Sequence, residues 1–239
     1  MKAVVTRVFA AAGLLGLLAM PVAAEDLTIV SSVKGGKDPM TQTQYLTADR
    51  TRTHTGDQDV IVEIVSGRIV TIDHKKKEYT ETTFAEMAAM MKKLEADFAK
   101  MPGFLQKTMG GAVKPVTMQK GIAPRKIAGY DCTQYNLAMG EDMTWSIWAA
   151  PALEVPAKYI ESMKSNAAMM GPMGRRFMAM YDEMAKIKGY PLSFATSSKM
   201  AGRKMETLIE ATEVKKGPIP ASVFAIPAGY TKKALPAQK

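Results

Sequence analysis

Few residues in this chain could carry proton, metal or nucleophile chemistry. Its 239 residues include two histidines, His54 and His74, and one cysteine, Cys132. His74 adjoins Asp73. A Ser–His–Asp set also needs a nucleophile on a strained turn beside an oxyanion site, and no G-x-S-x-G occurs. H-E-x-x-H, P-loop and G-x-G-x-x-G motifs are absent too. The two histidines read as exposed strand-end residues. No catalytic residue, metal ligand or cofactor is therefore expected, and the chain does not read as an enzyme. Cys132 alternates with Tyr130 and reads as a small buried residue, with pairing between chains as the sharper alternative.

The chain is rich in a softer chemistry. It has twenty methionines, and all but Met1 and Met20 lie beyond residue 24. Met87, Met90 and Met91 form one group; Met169, Met170, Met173, Met178, Met180 and Met184 form another. Thioethers suit Cu(I). Helical spacing also makes methionine an ordinary core residue, and its flexibility suits a surface that adapts to apolar partners. Trp145 and Trp148 differ by three, so a regular strand sends them to opposite sides. The run Lys75–Lys77 reads as a solvated hairpin end, with a lipid head-group contact as the sharper reading.

These residues need elements to position them, and the main local signal is period-two alternation. Strands are expected over 26–33, 43–53, 59–65, 68–74, 78–82, 115–120, 125–138, 143–149, 192–198 and 204–214, with a turn at Ser66-Gly67. A capping box, Thr83-Phe84-Ala85-Glu86, opens a helix whose stripe is Phe84, Met87, Met91, Leu94, Phe98 and Met101. A second helical block follows Pro156, breaks at Gly171-Pro172, and resumes through Met173, Phe177, Met180, Met184 and Ile187 to Gly189. About ten strands at hairpin spacing point to one strongly curved antiparallel sheet, with the helix stripes covering it. No linker or repeat interrupts residues 25–239, which read as one domain.

The opening residues to Ala24 have a basic start at Lys2 and Arg7, an apolar run over 8–20 and a Val22-Ala23-Ala24 exit. This reads as a signal peptide and implies an exported, periplasmic protein. Its loss takes both basic residues and lowers the formal charge from +9 to +7. An exported basic protein meets anionic membrane surfaces rather than nucleic acid.

One set of motifs has a familiar arrangement: Tyr45-Leu46-Thr47-Ala48-Asp49-Arg50-Thr51-Arg52, Ile69-Val70-Thr71-Ile72-Asp73, Lys77-Glu78-Tyr79-Thr80 and Ile127-Ala128-Gly129-Tyr130-Asp131-Cys132. Lys188-Gly189-Tyr190-Pro191-Leu192 and the ending Phe224-Ala225-Ile226-Pro227-Ala228-Gly229-Tyr230 complete it. The chain resembles an uncharacterised exported bacterial family, a domain of unknown function with the LolA/LolB-like fold of periplasmic lipoprotein carriers. The resemblance implies an α+β fold, a single curved antiparallel sheet forming an incomplete barrel covered by amphipathic helices. It further implies an apolar hollow for a lipid or lipoprotein acyl chain, and an arginine on an early strand that hydrogen-bonds the lid shut. Arg52 matches that arginine best, and Arg50 shares its strand face by period two. The ligand-binding set expected on this basis is Arg50, Arg52, Met87, Met91, Leu94, Trp145, Trp148 and Met180. A filled-core envelope scaffold and a methionine-rich copper binder are the alternative readings.

Overall fold

Alternating side chains along most of the chain pair up into one extended sheet. The computed structural model describes residues 25–235 except 37, 104–114, 142, 156–158, 160–163, 165–170 and 201–202. The expected signal peptide therefore lies outside the described residues, as does most of the helix expected after Pro156. The strands are β1 (Leu27–Lys34), β2 (Met40–Leu46), β3 (Arg50–Thr55), β4 (Gln58–Glu63), β5 (Arg68–Asp73), β6 (Glu78–Thr83), β7 (Val116–Lys120), β8 (Arg125–Ile127), β9 (Tyr130–Met139), β10 (Met143–Ala150), β11 (Tyr190–Met200), β12 (Arg203–Lys216) and β13 (Thr231–Lys233). Their order is β13-β6-β5-β4-β3-β2-β1-β12-β11-β10-β9-β7, with β8 beside β9. All pairs are antiparallel except β13 with β6. The outermost strands, β13 and β7, do not pair with each other, so the sheet is open.

Two longer helices are described, α1 (Phe84–Ala99) and α2 (Gly171–Met184). The capping box forms as the sequence requires: the Glu86 amide donates to Thr83 Oγ1 at 3.1 Å and the Thr83 amide to Glu86 Oε2 at 2.9 Å. Pro172 sits in the first turn of α2, where its missing amide costs nothing.

The helix-covered α+β arrangement expected above is overturned. Among the described residues, two helices of 16 and 14 residues accompany thirteen strands, and these residues form mostly one large open sheet. Each helix engages only part of it. Phe84, Met87 and Met91 of α1 pack on Val62 and Ile69. Met180, Tyr181 and Met184 of α2 pack on the Tyr135, Leu137, Met139, Trp145 and Ile147 cluster. The expected strand 43–53 is in fact two, because Thr47 turns the chain: its Oγ1 accepts the Arg50 amide at 3.0 Å.

Register assigns every strand residue to one of two faces, because paired residues share a side. Met40, Val60, Val62, Ile69, Ile209, Phe194, Ile147, Trp145 and Leu137 lie on the side that carries α1 and α2, the helix face. Tyr45, Arg50, Arg52, His54, Asp59, Ile61, Val70, Ile72, Tyr79 and Trp148 lie on the other. On that second side the chain leaving β12 runs back across the sheet. It makes a short 3-10 turn at Ala221–Phe224 and joins the far edge as β13. This C-terminal strap buries Phe224, with Ile219, Val223, Ile226 and Tyr230, against Ile61, Val70 and Ile72.

Candidate functional site

The strap face carries a built charged cluster. The hairpin joining β3 to β4 is the two-residue turn Gly56-Asp57, with Gly56 at φ +58°, so His54 and Asp59 face each other directly across it. His74 follows β5 on the same side as Ile72, one pair further along. Asp59 is fully buried, and three side chains converge on it. His54 Nδ1 lies 2.6 Å from Oδ1 and His74 Nε2 lies 2.7 Å from Oδ2, while Arg52 also donates to Oδ2. An ionised carboxylate only accepts, so both ring nitrogens act as donors here. Burial pushes the Asp59 carboxyl upward, but hydrogen bonds from His74, His54 and Arg52 outweigh it and hold the group below the usual range.

The same residues fasten the strap. Arg52 donates to the Val223 carbonyl, His74 Nδ1 lies 2.8 Å from Tyr230 Oη, and the Arg50 guanidinium sits 5.0 Å over the Phe224 ring. At the sheet edge, Glu81 accepts from Arg68 and from Lys232 of β13. The histidines, read from sequence as exposed strand-end residues, are thus two sides of one site. The signal available was the Gly-Asp turn, which makes residues 54 and 59 partners by counting.

The remaining expected residues fall in several places. Met87 and Met91 are half-buried under α1. Trp145 and Met180 share the buried cluster below α2. Trp148 points to the opposite face, as the spacing requires, with the Arg125 guanidinium 5.6 Å from its ring centroid. The side chains of Leu94 and Met173 lie outside the described residues. Arg50 and Arg52 share a face as expected, but that face is opposite α1 and α2, and their partners there are Asp49, Asp59 and the strap. Cys132 is buried, and burial pushes its thiol up.

Two surfaces are open to a ligand. On the strap face, an open groove of about 580 Å³ lies over β7, β9, β10, β11 and β12; hydroxyls and amides of Thr117, Gln119, Asn136, Thr144, Ser146 and Ser197 line it together with Ala138, Ala195 and Leu208, and its surface is more apolar than polar. On the helix face, one apolar row crosses six adjacent strands: Met40, Val33, Ile209, Phe194, Ile147 and Tyr135. Ile147 is fully buried at the α2 end, and exposure rises to 47% at Met40. The other exposed large hydrophobic residues within strands, Val60 and Met205, are on this same face.

The chain trace is similar to that of an uncharacterised conserved protein from Thermus thermophilus, at 6% identity and TM-score 0.50, covering 89% of this chain and 91% of that one. It is also similar to MucB in the Pseudomonas aeruginosa MucA/MucB complex, at 10% identity and TM-score 0.43, covering 86% of this chain and 56% of that one. A LolA superfamily protein from Nitrosomonas europaea aligns at 6% identity and TM-score 0.31, covering 86% and 91% respectively. No curated protein sequence matches the chain. Among the described residues no helix is long and apolar enough to cross a membrane. Residues 27–230 match the family model described as domain of unknown function DUF4412, the kind of family the sequence motifs indicated, and the chain belongs to that family.

Proposed function

We propose that this is an exported, non-catalytic binding protein that holds an apolar chain, a lipid or a protein-borne acyl group, on the helix face of its sheet. The observation that carries this reading is the apolar row from Tyr135 to Met40. The part of the row not buried under α2, Met40, Val33, Ile209 and Phe194, crosses four strands at about 4.8 Å spacing, roughly 14 Å, enough for part of an acyl chain. The stripe is closed under α2 and open at Met40. Methionines border it: Met40 and Met205 on strands, Met180 and Met184 from α2. Their unbranched thioethers adapt to a chain of variable length. Each methylene buried there contributes about 0.8 kcal/mol. The signal-like N-terminus supports export, and the net positive charge supports docking near anionic membrane surfaces.

The test is native mass spectrometry with organic extraction of protein from its own envelope, followed by titration with a fluorescent fatty acid. A recurrent stoichiometric lipid is expected. Met40→Asp, at an exposed position, should leave stability unchanged and weaken the probe about tenfold, since the lost side-chain burial is worth about 1.5 kcal/mol or more. Lipid-free protein whose probe binding is the same in Met40→Asp would refute the reading.

A further inference from the structure

The charged cluster on the strap face has no part in holding an apolar chain, and its chemistry points elsewhere. Two imidazoles and a carboxylate meet on β3, β4 and the turn after β5, and one ligand atom from each of His54, Asp59 and His74 lies within 4.8 Å of the others. We infer that His54, Asp59 and His74 form a binding site for a divalent first-row transition ion with nitrogen and oxygen preference, Zn(II) being the reference case.

The donor set is the first argument. Two histidines and one carboxylate on one side of an ion leave its remaining positions open, an arrangement that suits Zn(II) and Fe(II). Zn–N and Zn–O bonds run about 2.0–2.2 Å, which puts the ligand atoms of a tetrahedral ion roughly 3.3–3.5 Å apart. The His54 Nδ1···Oδ1 separation of 2.6 Å opens slightly to reach this, and His74 Nε2, now 2.7 Å from Oδ2, shifts toward an ion held on Oδ1. Rotation of the two imidazoles supplies both changes.

Proton placement is the second. In the ion-free site each ring nitrogen facing Asp59 carries a hydrogen. Ion binding needs those nitrogens bare, so the proton each carries moves to the ring's other nitrogen or to solvent. For His54 that nitrogen belongs to a ring whose side chain is 42% exposed, so water receives it. For His74 it is Nδ1, which faces Tyr230 Oη at 2.8 Å. The tyrosine hydroxyl donates to Nδ1 in the ion-free state and accepts from it in the bound state. An acceptor behind a metal-bound histidine is the usual device for fixing its orientation.

Access is the third. Asp59 is wholly buried, whereas His54 and His74 are 42% and 24% exposed, so the open positions face solvent. Arg52 occupies Oδ2 of Asp59 and leaves Oδ1 for the ion. Because the guanidinium offsets the carboxylate charge, an anion or hydroxide from solvent completes the shell.

The test uses tag-free, metal-stripped mature protein titrated with Zn(II) by calorimetry and with Co(II) by visible absorption. One ion per chain is expected, with a Co(II) spectrum of low coordination number and a raised Tm in Zn(II). His54→Ala and His74→Ala, folded by circular dichroism, should each bind at least about tenfold more weakly and lose the Co(II) spectrum. Tyr230→Phe should weaken binding less and keep the spectrum. His54 is part-exposed, so its variant remains informative if His74→Ala fails to fold. Absence of binding at millimolar Zn(II), or equal binding in wild type and His54→Ala, would overturn the assignment. Retained lipid binding in His54→Ala separates this outcome from that of the apolar-chain reading.

Discussion

Replacing Arg52 with leucine probes the strap face most directly. The guanidinium is 17% exposed and serves two acceptors, Asp59 and the Val223 carbonyl. Breaking a buried ion pair by removing one partner costs about 3–5 kcal/mol, because the remaining charge is uncompensated. Asp59 keeps both histidine hydrogen bonds, which brings its share down to about 2 kcal/mol, and the Val223 carbonyl adds about 1 kcal/mol. The total is about 3 kcal/mol, or roughly 6–12 °C in Tm for a chain of this length.

Urea unfolding of the protein at neutral pH, followed by circular dichroism, reads this directly. The reasoning also fixes a coupling. If most of the loss comes from the stranded Asp59 charge, Arg52→Leu/Asp59→Asn should be less destabilised than the two single changes summed. A loss under about 1 kcal/mol, or a cycle additive to within about 0.5 kcal/mol, would refute the account. Retention of an apolar probe should be unchanged, because Arg52 and the apolar row lie on opposite faces. A drop in retention would instead favour the lid-closing role that the family resemblance implies.

Two further changes test the strap edge and the turns. Lys232 and Arg68 hold Glu81 below its ordinary value near 4.5, so its contribution is fully present above that pH and fades as pH falls through the lowered folded value. The stability gap between wild type and Glu81→Gln should therefore be constant at neutral pH, shrink below about 4.5 and vanish in stronger acid; a gap persisting there would contradict this. Gly189 has φ +92° and an added Cβ would fall 2.0 Å from the Ala150 carbonyl oxygen, whereas Gly129, at φ +86°, has open space. Gly129→Ala should cost only the left-handed penalty of about 1–2 kcal/mol, and Gly189→Ala far more, measured by the same urea titrations.

Much of the sheet was legible because period two is a local signal. The hairpin spacing, the capping box at Thr83 and Glu86, the opposed tryptophans and the buried cysteine all follow from neighbours in sequence. The helix cover was not legible in that way. An apolar stripe such as Phe84-Met87-Met91 shows that a helix needs a surface, not how much of the sheet it reaches. The arginines illustrate the same limit. Alternation puts Arg50 and Arg52 together, but the face they occupy depends on what covers each side.

A second signal was present in β4 and β5. Ile61 and Val62 are adjacent and both buried, as are Ile69 and Val70. A strand with one wet face alternates; a run without alternation means burial on both sides. The helix face accounts for Val62 and Ile69 through α1, so Ile61, Val70 and Ile72 required a second cover. Proline-rich residues 218–230 supply it, with Phe224, Ile226 and Tyr230. The strap is thus a second core layer. Any motion lifting it would expose Ile61, Val70 and Ile72 and open the Arg52–Val223 and His74–Tyr230 bonds together. Docking of the strap and these two bonds are therefore one event, whereas His54 and Asp59 stay paired by the register of their hairpin.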